Sequence, residues 1–452
     1  KMKFNHQRTI SRVLSLRTAL SSSTRPMSTE SLSKPTVWHE FSPLANASGA
    51  INLGQGFPNW DPPPFVTASL TASVQTAGTS TNQYCRPNCH LPLANALAAE
   101  YSTRPSWSHL TVDPMKNVMS SLGCTQVMYC GFRSLLSPGD EVVLLEPAFD
   151  IYASQVVLCG GIPKFVSLVT DLGVERKTAN DVFKFDFDAL EAAITPRTKV
   201  LVLNTPHNPT GKMFTRGEQE RIAGIVAANP NLTVFSDEVY EHIVYDPSEC
   251  PHVSFATLPG MWERTVTMSS AGKTFSVTGW KVGWAVGPEG IIKKMVDLQQ
   301  WVNFSSPSVT QDAIAKCLVR AREPYEGHPT FYAWLADDYK RRRAFLSEAL
   351  QEAGMDPIEP QGGFFICADT SAIKFPDKVY EDESLSSPQP MPRDWALARH
   401  MTHTNPKVCV IPPSPFYSPE RVGEAANYVR FAFCKSDGEL EEARERLRGV
   451  KG

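Results

Sequence analysis

The chain is expected to be an α/β protein, with a large domain built on a mostly parallel, doubly wound sheet and a smaller α+β domain beside it. Apolar runs at Val142-Val143-Leu144-Leu145, Val200-Leu201-Val202-Leu203, Leu232-Thr233-Val234-Phe235 and Val266-Thr267-Met268 are separated by helix-like stretches such as Gln219 to Ala228. Strands alternating with helices imply crossover connections and a parallel sheet covered on both faces. A polar segment follows each run: Glu146-Pro147-Ala148-Phe149, Asn204-Thr205-Pro206-His207-Asn208-Pro209, Asp237-Glu238-Val239-Tyr240 and Ser269-Ser270-Ala271-Gly272-Lys273. Ligands bind beyond the carboxyl ends of strands in such sheets, so these segments should converge on one edge.

At 452 residues the chain exceeds one ordinary domain. Four parts are expected: a segment 1–29 outside the fold, an N-terminal arm 30–65 that joins the small domain, a large domain 66–320 and a small C-terminal domain 321–452. Charged residues make up 20% and the net charge is -3, which leaves no general basic field for nucleic acid or a membrane surface. No apolar run approaches a bilayer span. The ten cysteines show no framework spacing and read as reduced thiols of an intracellular protein. Cys85, Cys89 and His90, like Cys250 and His252, lie close together, but neither group supplies four ligands at a metal spacing, and no metal is expected.

Residues 1–29 hold Lys1, Lys3, Arg8, Arg12, Arg17 and Arg25, no Asp or Glu, and many Ser and Thr. That is the composition of a mitochondrial transit peptide or of a disordered basic tail, and Met27 could serve as an internal start for a cytoplasmic form. Ile51 to Pro58 is a short strand breaking into a glycine turn, where Gly54 and Gly56 permit close backbone approach to a ligand. Gln126 to Leu136 and Ile291 to Val302 read as helices, and the charged run Asp337 to Glu352 as a connecting helix with a solvated face. Gln361 to Ile366 reads as a strand after a turn, and Phe375 to Arg393 as an exposed excursion. Tyr428 to Phe433 alternates, so Arg430 faces away from Val429 and Phe431.

Lys273 stands in a loop of small residues just past a strand, where desolvation would lower its pKa until the free amine attacks a carbonyl. By itself it reads first as one of many solvated surface lysines, and its company reverses that order. The stretch Ser269-Ser270-Ala271-Gly272-Lys273-Thr274-Phe275-Ser276-Val277-Thr278-Gly279-Trp280-Lys281 resembles the lysine loop of the class I pyridoxal phosphate aminotransferases, and within them the kynurenine aminotransferase group, also called glutamine transaminase K or cysteine conjugate β-lyase. The similarity runs from about Trp38 to Arg430 and includes Asn204 to Lys212 and Ser236 to Tyr240 nearly letter for letter.

The resemblance implies an aminotransferase-type fold, pyridoxal 5'-phosphate as cofactor, and a homodimer with active sites at the interface. Lys273 would carry the cofactor. Asp237 would hold its ring nitrogen protonated, Asn208 and Tyr240 would donate to the ring's phenolate oxygen, and Phe149 would stack on the ring face. Gly123, Cys124 and Thr125, opening a helix, would receive the phosphate together with Ser270 and Lys281. In the family a tyrosine placed like Tyr84 touches the phosphate of the partner subunit. Gly56 and Arg430 would receive the substrate carboxylate, with Trp38, Asn208 and Phe304 around the substrate. Cys85 to His90 and His207 depart from the family pattern.

The expected reaction moves an amino group from an aromatic or large neutral amino acid, kynurenine before glutamine, methionine or phenylalanine, to a 2-oxo acid, giving kynurenate from kynurenine. Two alternatives share the scaffold: a β-lyase acting on cysteine conjugates, and a non-catalytic ligand-binding protein. A nicotinamide dehydrogenase would need a G-x-G-x-x-G after the first strand, which is missing. Neither nucleic acid nor membrane is expected as a partner, and the compartment is expected to be mitochondrial, cytoplasmic or both.

Overall fold

The computed structural model describes Leu32 and residues 34–76, 80–171, 173–175 and 177–451. The basic segment 1–29 and Met27 lie outside the described residues.

The chain opens with helix α1 (Val37–Ser48), strand β1 (Ile51–Asn52) and helices α2 (Pro64–Gln75) and α3 (Leu91–Ser102). The central sheet follows, with β2 (Val118–Leu122), α4 (Gly123–Leu135), β3 (Glu141–Glu146), α5 (Asp150–Leu158), β4 (Ile162–Thr170), β5 (Phe183–Phe185), β6 (Thr198–Asn204), α6 (Arg216–Ala228), β7 (Thr233–Asp237), β8 (Thr265–Ser270) and β9 (Val282–Val286). Its eight strands run in the order β2-β9-β8-β7-β6-β3-β4-β5. The five from β8 to β4 are mutually parallel, while β9 runs antiparallel to β8 and β2, and β5 antiparallel to β4. All four apolar runs fall in the parallel strands, except that Leu232 lies just before β7, since strands buried on both faces read as near-continuous apolar runs.

Two differences from the expected elements bear on the site. Helix α4 begins at Gly123, three residues before the expected start, because Gly123 takes a left-handed φ of 76° and turns β2 straight into the helix. Strand β9 was not expected. Lys281, at φ 55°, reverses the chain into it, and Gly283 lets it cross the start of α4 so closely that a Cβ there would stand 2.3 Å from the Gly123 carbonyl carbon. Lys281 is thereby brought beside Gly123.

After α7 (Glu289–Val302) and α8 (Ser308–Arg320), the 22-residue helix α9 (Phe331–Glu352) leads to β10 (Asp356–Ile358), β11 (Phe365–Asp369), α10 (Arg393–His403), β12 (Val408–Cys409), β13 (Tyr428–Ala432) and α11 (Asp437–Leu447). Strands β10, β11 and β13 form an antiparallel sheet, and β1 pairs in parallel with β12. The strand expected from Gln361 starts only at Phe365, because Gly363, at φ 70°, prolongs the turn. Helix α9 is also less solvated than its charges suggested. Arg343 is 7% exposed and donates to Pro360 O at 2.8 Å, and Lys340 pairs with Asp246 at 2.6 Å. Part of the excursion after Phe375 is likewise tied down: the buried Glu40 of α1 accepts from Ser384 Oγ at 2.6 Å and Ser386 Oγ at 2.8 Å and pairs with Arg399.

Candidate active site

A cavity of about 310 Å³ opens beyond the carboxyl ends of the parallel strands, bounded on its other side by α1, the glycine turn after β1 and strand β13. Lys273 reaches it from a single helical turn, Ala271–Thr274, which follows β8 directly. Ser270 caps that turn by accepting from Gly272 N at 3.1 Å, and its hydroxyl donates to Val282 O at 3.2 Å. The ammonium of Lys273 donates to Gly56 O at 2.7 Å and lies 5.3 Å from the Phe364 ring centroid. Burial, with the charges of Arg430 and Lys435 in support, pulls its pKa down to about 8, against the opposing pull of Cys434 and Asp237.

Asp237 ends β7 inside the cavity wall. Tyr152 OH donates to its Oδ2 at 2.5 Å, Val239 N to its Oδ1 at 3.3 Å, and the Cys124 thiol lies 3.7 Å from Oδ1. Burial nevertheless dominates and pushes the carboxyl above its ordinary range, so this acid is short of positive charge. Asn204, at the end of β6, donates to Asp237 O at 3.0 Å and accepts from Asn208 N at 2.8 Å, tying two strand ends together. Tyr240 is buried against the edge of Phe364, with centroids 5.0 Å apart. Phe149 lines the cavity at the start of α5, edge-on to Tyr152 at 5.7 Å.

At one end the cavity meets the amino terminus of α4, where Gly123, Cys124 and Thr125 line it. The first backbone N–H groups of a helix have no partner within it and point outward as anion donors. A Cβ on Gly123 would stand 3.3 Å from Lys281 Nζ, and the left-handed φ of 76° favours glycine here, which leaves the cradle between helix and ammonium open. The donor set there, with Ser270 alongside, suits a phosphate.

At the opposite end stands Arg430. Although β13 is an edge strand, the residue is only 1% exposed, and burial lowers its pKa to about 10. Its Nη1 donates to Asn208 Oδ1 and its Nη2 to Gly54 O, both at 2.8 Å, while Nε is buried with no partner among the described residues. Trp38 flanks it, with the guanidinium carbon 5.5 Å from the indole, and the indole N–H is anchored on Asp150 Oδ2 at 3.0 Å. A ligand carboxylate would supply the anion that this buried cation lacks.

The structure therefore brings Trp38, Gly56, Gly123, Cys124, Thr125, Phe149, Asn208, Asp237, Tyr240, Ser270, Lys273, Lys281 and Arg430 to one cavity. Tyr84 and Phe304 are not part of it. They stack edge to face at 5.2 Å on the surface, 83% and 52% exposed, so within one chain neither borders the substrate space. Tyr152, Asp150 and Lys435 were missed from the sequence, and Asn204 was read only as part of a polar strand-end segment, without a role of its own. Tyr152 alone had a legible signal, standing three residues after Phe149 and so on the same face of a helix.

A buried lysine with a lowered pKa just beyond a strand end, in one cavity with a buried acid and an arginine whose Nε lacks a partner among the described residues, equips this fold for amino-group chemistry. The chain belongs to the class I and II aminotransferases, whose family model matches residues 48–447. It is 42% identical to kynurenine–oxoglutarate transaminase of Dictyostelium discoideum over 92% of this chain and 94% of that one. Identity to human kynurenine–oxoglutarate transaminase 1 is 36%, over 92% and 95%. Among solved structures, N-succinyldiaminopimelate aminotransferase from Mycobacterium tuberculosis superposes with a TM-score of 0.80 at 34% identity, covering 94% of this chain and 99% of that one. Aminotransferases act on amino acids and 2-oxo acids, and membership of the family implies a pyridoxal phosphate cofactor. Among the described residues no helix is long and apolar enough to cross a membrane.

Proposed function

We propose that this chain is a pyridoxal phosphate-dependent transaminase that takes its amino group from kynurenine before other large neutral amino acids and passes it to a 2-oxo acid. One observation carries the reading: Asp237 at the end of β7, Arg430 on β13 and Lys273 on the turn just after β8 share one cavity. The names of the two relatives support kynurenine, and the indole of Trp38 and ring of Phe149 offer apolar faces for an aromatic side chain.

Pyridoxal phosphate, when bound, supplies an aldehyde for the amino group and a protonated ring that accepts electron density from the substrate α-carbon. Asp237 would accept from the ring nitrogen, gaining the positive charge its burial demands. Asn208 and Tyr240 would hold the ring oxygen, Phe149 its face, and the start of α4 with Ser270 and Lys281 the phosphate. Arg430 and the Gly56 amide would orient the substrate carboxylate. Lys273 Nζ, freed by the incoming amine, would take the α-proton and deliver it back. Tyr84 and Phe304 support a homodimer in which each serves the partner's cavity. Phe304 has a left-handed φ of 61°, which costs a non-glycine residue about 1–3 kcal/mol and is kept at functional sites. From the composition of residues 1–29 we place the protein in the mitochondrion, the cytoplasm or both, which imaging of full-length and Met27-start fusions would separate.

The test is the visible spectrum of the cofactor-loaded protein before and after addition of kynurenine, glutamine, methionine or phenylalanine. Bleaching by kynurenine, with kynurenate formed on adding a 2-oxo acid, is the expected result. A loaded protein whose spectrum no donor alters would leave only a binding role.

Two further results are expected. Only the unprotonated amine attacks a carbonyl, so capture of pyridoxal phosphate by the apoprotein should accelerate as pH rises through about 8 and level off above it. Stopped-flow absorbance would show this, and a rate still climbing at pH 9.5 with no plateau would contradict the lowered pKa. Tyr152→Phe removes a hydrogen bond to a buried carboxylate, a loss of about 1.5–3 kcal/mol or roughly ten- to a hundredfold in kcat. An unchanged kcat would show that Asp237 needs no support from Tyr152.

A further inference from the structure

Four consecutive carbonyls in the turn after β1 each accept a hydrogen bond from a cationic side chain. Arg430 Nη2 donates to Gly54 O at 2.8 Å, Lys435 Nζ to Gln55 O at 3.1 Å and to Phe57 O at 2.8 Å, and Lys273 Nζ to Gly56 O at 2.7 Å. The amides are engaged almost as fully. Gly54 N and Gln55 N donate to Asn52 Oδ1 at 3.0 and 3.1 Å, and Phe57 N to Gln55 O at 3.0 Å. The Gly56 amide alone has no acceptor among the described residues, and Gly56 lines the cavity.

Lys435 is the unexplained member of this set. It is 2% exposed, and its ammonium has no carboxylate partner among the described residues. An isolated buried ammonium is costly, so the charge must be compensated by the groups it touches. Those groups are the two carbonyls on either side of Gly56 and the Phe57 ring, 4.5 Å from Nζ. Its own backbone is fixed: Arg342 Nη1 donates to Lys435 O at 2.5 Å, and the next amide, Ser436 N, to Asn59 Oδ1 at 2.7 Å. A rigidly mounted cation thus grips the turn from behind on both flanks of its one free donor.

We propose that Lys435 is a positioning residue for substrate recognition: by holding the carbonyls of Gln55 and Phe57 it keeps the Gly56 N–H available to the carboxylate that Arg430 receives. This rests on the reading that the amino acid's carboxylate docks at Arg430. Lys435 is not among the residues that line the cavity. Its loss should therefore loosen the carboxylate end of the site, while Lys273, whose pKa is lowered first by burial and only last by the Lys435 charge, keeps its chemistry running.

The experiment compares cofactor-loaded wild type, Lys435→Met and Lys435→Arg. Methionine keeps an apolar stem of similar length and removes the donors, whereas arginine retains charge and donors. Binding of 3-phenylpropanoate, a carboxylate without an amino group, is followed by calorimetry, beside KM and kcat for kynurenine. For Lys435→Met the Kd and KM should rise about tenfold, equivalent to about 1.4 kcal/mol, while kcat moves by less than about twofold and cofactor affinity stays constant. Lys435→Arg should recover much of the loss. If Lys435→Met does not fold, Asn52→Ala releases the same turn from its amide side and should raise the same Kd. Wild-type values of Kd and KM in Lys435→Met, or a fall in kcat with Kd unchanged, overturn the proposal while the transaminase reading stands. A loaded wild type that transaminates no amino acid overturns that reading instead, and the comparison of Kd values still decides the role of Lys435.

Discussion

Lys273→Ala should lower turnover by at least about 10⁴-fold, because one amine performs two tasks. It captures the carbonyl, and it moves a proton at the substrate α-carbon, a step in which a positioned acid–base group alone contributes about 10²–10⁴. The fold should survive, since the hydrogen bond recorded for Lys273 Nζ goes to a single backbone carbonyl, Gly56 O, and burial already disfavours the ammonium. Single-turnover rates measured on protein with a native circular dichroism spectrum would give the number. Small exogenous amines should restore part of the proton transfer, because the truncated side chain leaves room beside Gly56. A folded variant that keeps more than about one per cent of wild-type turnover would assign the proton to another group, since a displaced acid–base residue cannot recover that much.

Arg430→Met should reduce kcat/KM for amino acids by roughly 10²–10⁴, chiefly through KM. Two hydrogen bonds to a charged group are worth about 1.5–3 kcal/mol each, and the buried guanidinium lacks an anion of its own. Lysine should be a poor substitute, because a point charge on a shorter stem cannot hold Asn208 and Gly54 and still present a planar pair of donors. Comparing phenylalanine with phenethylamine isolates the effect. Wild type should strongly prefer the carboxylate-bearing compound and Arg430→Met should lose most of that preference. Equal losses toward both compounds would mean that Arg430 organises the cavity through Asn208 without receiving a carboxylate.

Much of the site was legible because its parts are local. A buried parallel strand must be apolar along its length, and the residues just beyond it must be polar if a ligand is to meet them. Asp237 and Lys273 could therefore be read as strand-end groups, and the letter-for-letter motifs supplied the order in which to read them. Tyr84 and Phe304 were legible as aromatics near a site, but not as residues turned away from their own cavity. Strand β9 escaped because Gly283 and Trp284 fit no simple period, although the glycine is there to let two backbones cross.

What the sequence determined by itself was the class of fold, the reactive lysine with its strand-end companions, and the family whose chemistry they serve. Only the tertiary structure decided which distant groups satisfy which. Arg430 reaches back 376 residues to Gly54, and Lys435 reaches 380 to Gln55. Trp38 is fixed by Asp150, 112 residues on. The reason is physical: a strand or helix is encoded by periodicities a few residues long, whereas the compensation of a buried charge is set by whatever folding brings within about 3 Å of it. The lowered pKa of Lys273 and the free amide of Gly56 are consequences of that packing.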